Sequence, residues 1–203
     1  MRREELVRRI QSIPLPPHPQ ASLEQVGTPA EAAADLLVTL DRRVGVEGRS
    51  VLDLGCGTGR LAIGAALLGA HPVTGVEADG ALLPLARSAA RSQQVKVDFH
   101  ISRVEEWKRT ADVVVMNPPF GAQTRHADRP FWDRALSLAG RSVGAFASSS
   151  SRTFRARLAL ARGAHVVEVA PVPWDLPRTF PHHRANKVRL PVDRWVIETG
   201  TTP

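Results

Sequence analysis

Seven short β-branched or apolar segments recur along the 203-residue chain, at residues 50–54, 73–77, 97–101, 112–116, 143–147, 165–172 and 192–198. Apolar runs of this length, bounded by polar or Gly-containing stretches, read as strands buried on both faces. Most intervals between them are long enough for a helix, and strand alternating with helix requires a mostly parallel sheet covered on both sides, an α/β architecture. Residues 58–68 carry Leu61, Ala65 and Leu68 at helical spacing and end at Gly69, while residues 130–140 and 151–162 are further helix candidates, the second closed by Gly163. The last interval breaks the pattern. Residues 173–187 hold Pro, Trp, two adjacent His and Arg, too irregular for a crossover helix, so strands six and seven are expected to pair antiparallel. A long irregular loop in a compact domain is usually functional. Ahead of the first strand, prolines at 14, 16, 17 and 19 exclude a helix. Residues 30–40 predict one, with Thr28 as N-cap, Pro29 at its first position and Glu31 three residues after the cap.

A chain of this length, 43% hydrophobic, can bury one sizeable core but not two. The expectation is a single domain over residues 1–203, with an N-terminal segment and helix at 1–49 and a core at 50–199. Cys56 is alone, which excludes a disulfide scaffold or a thiolate metal site and points to a reducing, cytoplasmic setting. No metal site is expected. Residues 1–20 lack the continuous apolar stretch of a secretory signal, and the longest apolar run, residues 61–70, is too short to cross a bilayer. Residues 1–120 balance 14 Lys+Arg against 14 Asp+Glu, whereas residues 121–203 hold 13 against 6, so the net charge of +7 lies wholly in the C-terminal part. That asymmetry suits a polyanion such as RNA. It equally suits a solvated surface from GC-rich coding, since 24 of 27 basic residues are Arg.

The segment VLDLGCGTGR (residues 51–60) reads as a strand running through a Gly-rich turn into a helix. Gly55, Gly57 and Gly59 let the backbone turn tightly and approach a ligand. A dinucleotide fingerprint requires glycine where Arg60 stands, so NAD is disfavoured. Asp53 suits an ammonium better than a pyrophosphate, and Glu77, ending the second strand, can accept two ribose hydroxyls. Together these point to S-adenosylmethionine, although the turn alone is also that of any strand-to-helix junction. Cys56 is a small filler there.

The fourth strand ends in Asn117-Pro118-Pro119-Phe120. An amine conjugated to an aromatic ring is a poor nucleophile because its lone pair is delocalised. The Asn117 side-chain oxygen and the Pro118 carbonyl could each accept one of its N–H groups and turn that lone pair toward a sulfonium methyl. Prolines fix the carbonyl direction without adding a donor. Phe120 offers a face on which a flipped base can stack. In isolation the tetrapeptide is simply a turn.

LEQVGTP (residues 23–29), DLGCGTG (53–59), MNPPFG (116–121) and the late WDLP with HHRANK (within 174–187) together resemble the methyltransferase-like protein five family of small-subunit ribosomal RNA adenine N6-methyltransferases. The resemblance extends from about Leu23 to Glu198. It implies a Rossmann-like, seven-stranded S-adenosylmethionine-dependent methyltransferase fold with an antiparallel last strand. It implies that Gln25 and Thr28 contact the methionine end of the cofactor, that Asp53, Gly55, Gly57 and Glu77 bind it, and that Asn117, Pro118, Pro119 and Phe120 form the catalytic tetrapeptide. Trp174, His183, Arg184 and Lys187 would face the substrate, although His183 also suits a solvated loop and Trp174 core packing. At the third strand's end relatives carry an aspartate for the cofactor's adenine amine. Ser102 stands there in this chain, an acceptor without charge assistance. A small zinc-containing activator protein is an implied partner. Competing readings are a glutamine methyltransferase of release factors, which usually carries an extra helical N-terminal domain, a DNA adenine methyltransferase, and a non-catalytic RNA-binding or ribosome-assembly protein.

Overall fold

The computed structural model describes residues 1–20, 23–121, 126–176 and 188–200. Helix α1 (Arg3–Gln11) and helix α2 (Ala30–Val44) precede the alternation of β1 (Val51–Leu54), α3 (Arg60–Leu67), β2 (Val73–Glu77), α4 (Leu83–Ser92), β3 (Asp98–Ile101) and β4 (Ala111–Met116). There follow α5 (Arg129–Leu138), β5 (Ala139–Ser148), α6 (Arg152–Ala161), β6 (Ala164–Val172), the short β7 (Asp175–Leu176) and β8 (Val188–Arg189), and β9 (Val192–Thr199). The seven-stranded sheet has the order β3-β2-β1-β4-β5-β9-β6. Strands β1 to β5 pair parallel, and β9 runs antiparallel between β5 and β6. This is the expected Rossmann-like methyltransferase architecture.

Strand alternation divides the core between the two faces of the sheet. Val113 and Val115 pack with α1, α2 and α3 on one side, and Val114 and Met116 with Trp132 and Leu136 of α5 on the other. Val51 lies with the first group and Leu52 and Leu54 with the second, which leaves Asp53 pointing to the α3 side.

Two helices not singled out beforehand are present, and two local expectations are corrected. Helix α1 forms despite its charged sequence because Leu6 and Ile10, four residues apart, share one buried stripe. Helix α4 fills an interval not singled out in the sequence. Helix α2 runs on to Val44, and its N-cap is Pro29 with no side-chain cap bond. Thr28 does not cap because its hydroxyl has a distant partner, Asn117. Finally, β7, inside the stretch read as an irregular loop, pairs antiparallel with β8 just beyond it.

Candidate active site

A cavity of about 370 Å³ opens at the carboxyl ends of β1, β2 and β4, where the strand order reverses about β1, the usual ligand position in such sheets. Its walls are the β1–α3 turn, Glu77, Asn117 with Pro119, Arg103 to Glu105, residues from the start of α5, and residues 23–28. Gly55 adopts φ +70°, and a Cβ there would meet the Phe131 ring at 2.8 Å, so both backbone and space exclude a larger residue. At Gly57 a Cβ would meet nothing within 4 Å, which leaves the turn's backbone open to a ligand.

Glu77 is fixed by two backbone donors: the Gly57 N–H donates to Oε2 at 2.8 Å and the Asp79 N–H to Oε1 at 2.9 Å. Each oxygen keeps a lone pair for a further donor. Asp53 is buried, and its Oδ2 accepts from the Ala62 N–H at 2.9 Å while Oδ1 has no partner. Desolvation pushes this carboxyl up to about 7, with the Glu77 charge adding to the rise and the Ala62 bond opposing it. An unpartnered buried carboxylate oxygen on a cavity wall calls for a cation or donor. The α-ammonium of S-adenosylmethionine for Asp53, its ribose for Glu77 and the open backbone at Gly57 make a chemically fitting set.

Asn117 is held from the N-terminal side. Its Nδ2 donates to the Val26 carbonyl at 2.9 Å and to the Thr28 hydroxyl at 3.1 Å, and its buried Oδ1 has no partner. A carbonyl only accepts, so the Val26 contact fixes which end of the amide is nitrogen. Glu24 accepts the Gly121 N–H at 2.9 Å, tying the segment after Phe120 to the same arm. Gln25 and Gln20 both donate to Asp79 Oδ2 at 2.9 Å, tying the arm to the turn after β2 as well.

The chain matches the methyltransferase small domain family over residues 28–141. The rRNA N6-adenosine-methyltransferase Mettl5 of Drosophila melanogaster is 33% identical over 193 residues, 90% of each chain. The chain belongs to the methyltransferase-like protein five family. A crystal structure of a proposed RNA methyltransferase from Pyrococcus horikoshii superposes with a TM-score of 0.90 at 32% identity, covering 98% of both chains. The magnesium protoporphyrin IX methyltransferase of Synechocystis, solved with its methyl donor bound, shares the fold alone, at a TM-score of 0.68 and 16% identity over 97% of this chain and 91% of that one. As a methyltransferase-like protein five member, the chain is an S-adenosylmethionine-dependent methyltransferase.

Several sequence-derived residues stand elsewhere than expected. Ser102 is off the cavity wall: its hydroxyl donates to the Arg103 carbonyl at 3.0 Å, and Arg103, Val104 and Glu105 line the wall in its stead. Gly59, at φ +90°, is also off the wall, and a Cβ there would crowd Ile63 and Phe99 at 3.1 Å. Gln25 and Thr28 line the cavity, but their side chains are engaged with Asp79 and Asn117. Pro118 is buried outside the lining, whereas Pro119 reaches it. Trp174 is fully buried, so it is no direct substrate contact; it packs edge-on between Phe120 at 5.7 Å and Phe146 at 5.0 Å. His183, Arg184 and Lys187 lie outside the described residues. Among the described residues, no group of three or more His, Cys, Asp and Glu gathers to hold a metal, and no helix is long and apolar enough to cross a membrane.

Sequence reading missed Arg60 as a structural donor, Asp79 as the arm's anchor, and Phe131. For Asp79 a signal existed, since an Asp two residues beyond a strand-ending Glu sits at the same sheet edge. Trp174→Ala should lower stability by about 3–5 kcal/mol through the cavity it leaves. Urea denaturation of the variant would check it. Full stability would deny Trp174 its place as the wall behind Phe120.

Proposed function

We propose that the chain methylates the exocyclic N6 of an adenosine in RNA, with small-subunit ribosomal RNA as the substrate and a cytoplasmic site of action. The observation that carries this reading is the Asn117 amide, whose nitrogen is fully engaged by Val26 and Thr28 and whose oxygen is buried without a partner. An acceptor left unpaired costs about 1–3 kcal/mol, which an incoming N–H offsets. S-adenosylmethionine supplies an electrophilic methyl on a cationic sulfur. Asn117 Oδ1 accepts a hydrogen bond from one N6–H, and the carbonyl of Pro118, a residue buried behind the cavity wall, is assigned the other; together they localise the lone pair on N6 and stabilise the positive charge that grows there. Once methylated, N6 is cationic and acidic and releases one of its protons to water after the bond has formed, so no strong base is needed before transfer. Phe120, braced by Trp174, offers the stacking face.

The basic excess of residues 121–203 supports a polyanionic substrate. The Mettl5 relative's name carries the same substrate class. A small zinc-containing activator is part of the proposal. Among the described residues, strand β3 is an edge strand, unpaired on one side, and ends in Ile101, which is 67% exposed. The test is transfer of tritiated methyl to ribosomal subunits, naked ribosomal RNA, DNA and release factor, followed by nucleoside and amino-acid analysis. Label in N6-methyladenosine of small-subunit RNA is expected. Label in DNA, or on a release-factor glutamine, would overturn the substrate assignment, and no transfer to any substrate would favour the non-catalytic reading.

A further inference from the structure

Arg60 opens α3 directly after the glycine turn and is 7% exposed. Among the described residues no carboxylate pairs with it, and burial alone lowers its pKa. Its guanidinium donates only to carbonyls: Nε and Nη2 reach the Ile13 oxygen at 3.1 and 2.6 Å, and Nη1 reaches the Thr28 oxygen at 2.9 Å. Neighbouring Thr58 donates from Oγ1 to the Pro14 carbonyl at 2.6 Å. A buried cation without a counter-ion is unfavourable, and a chain that needed only helix packing here would place an apolar residue. The bonds clamp both ends of the arm formed by residues 13–28.

Thr28 is where the clamp meets the amide. Its carbonyl accepts from Arg60, and its hydroxyl accepts from Asn117 Nδ2. The described part of the arm between α1 and α2 contains neither α-helix nor strand, so sheet or helix bonding does not fix the Val26 carbonyl and the Thr28 hydroxyl. We propose that Arg60 is a positioning residue for the catalytic amide, holding Thr28 and Val26 so that Asn117 Oδ1 is presented to the target amine. This rests on the reading of Asn117 as the acceptor of that amine. The fork geometry is essential, because a lysine keeps the charge but offers one compact donor group in place of a planar fork spanning two carbonyls.

The experiment combines single-turnover methyl transfer at saturating cofactor and RNA with calorimetric cofactor affinity and the NMR signal of the Asn117 side-chain amide. It uses Arg60→Lys, Thr28→Val, Thr28→Ser, Asn117→Ala and the Arg60→Lys/Asn117→Ala pair. Arg60→Lys should slow transfer by about a hundredfold, the scale of a small misplacement of reacting groups, with cofactor affinity little changed and the Asn117 amide protons losing their protection from exchange. Thr28→Val should slow transfer and Thr28→Ser restore it, which keeps the proposal falsifiable if the lysine variant does not fold. In the Asn117→Ala background, Arg60→Lys should cause no additional loss. Wild-type rates for Arg60→Lys at saturating cofactor, with only melting temperature or cofactor affinity altered, would overturn the proposal, as would equal losses in both backgrounds. A near-normal rate for Asn117→Ala would instead sink the acceptor reading itself.

Discussion

Asn117→Ala should slow single-turnover methyl transfer by at least about 10²–10³-fold while cofactor affinity stays close to that of the wild type, by analogy with the loss of one preorganised polar group at a reacting centre. Affinity is spared because the cofactor contacts assigned above come from β1, β2 and their turns, whereas Asn117 ends β4 and directs a bond-forming nitrogen. Its Oδ1 gains value as N6 acquires positive charge, so its removal is felt most in the transition state. Quenched-flow measurement of labelled product with saturating RNA and cofactor, alongside calorimetry, separates the two. A variant that transfers methyl at near-normal rate would reduce the tetrapeptide to a turn. One that loses cofactor affinity in step with rate would place Asn117 in the cofactor site.

Asp53→Asn should act on stability and on binding in opposite directions. The Asp53 carboxyl titrates near 7 in the ligand-free protein, against 3.8 for an unperturbed aspartate. An unfolded chain therefore ionises this group first as pH rises, and between about pH 4 and 7 the folded state holds the extra proton and loses relative stability. The penalty is absent below about pH 4 and complete above about pH 7, where it reaches a few kcal/mol as an upper estimate. Asparagine keeps an acceptor for the Ala62 N–H but carries no charge, so the ligand-free variant should melt higher than wild type at pH 8. The advantage should vanish near pH 4. Cofactor affinity should fall about tenfold or more, because the proposed ammonium contact loses its counter-charge. In the wild type, affinity should strengthen as pH rises through 7, where Asp53 becomes ionised. Equal melting temperatures at pH 8 would mean that Asp53 is ionised at no cost, and pH-independent affinity would remove it from the ammonium.

Much of this was legible because it is local. Strand segments such as residues 112–116 announce themselves by a continuous apolar run, Val113 to Met116, which is buried in the fold, and the turn at residues 55–59 by glycines whose backbone no other residue readily adopts. What escaped was set by partners far along the chain. Thr28 has every local mark of an N-cap, yet its hydroxyl bonds to Asn117, 89 residues away. Arg60 stands where a dinucleotide fingerprint has glycine, and only the folded arm reveals its three hydrogen bonds to two carbonyls. Ser102 is where the resemblance implies an acceptor for the cofactor's adenine, but its hydroxyl turns to the Arg103 carbonyl. Trp174 read equally as core or contact, and Phe146 behind it decides for core.

The bonds from Asn117 to Val26 and Thr28 also impose an order on biosynthesis. The residues that orient the amide leave the ribosome 91 and 89 positions before the amide does. At a synthesis rate of about 5–20 residues per second, the arm waits for roughly 5–20 s with no β4 to close upon. During that interval both the arm's carbonyls at Ile13 and Thr28 and the Arg60 that bridges them have been synthesised, whereas the amide that the arm orients has not. A messenger cut short before codon 117 would thus yield a fragment that still carries Asp53 and Glu77 but has no means of using a methyl donor.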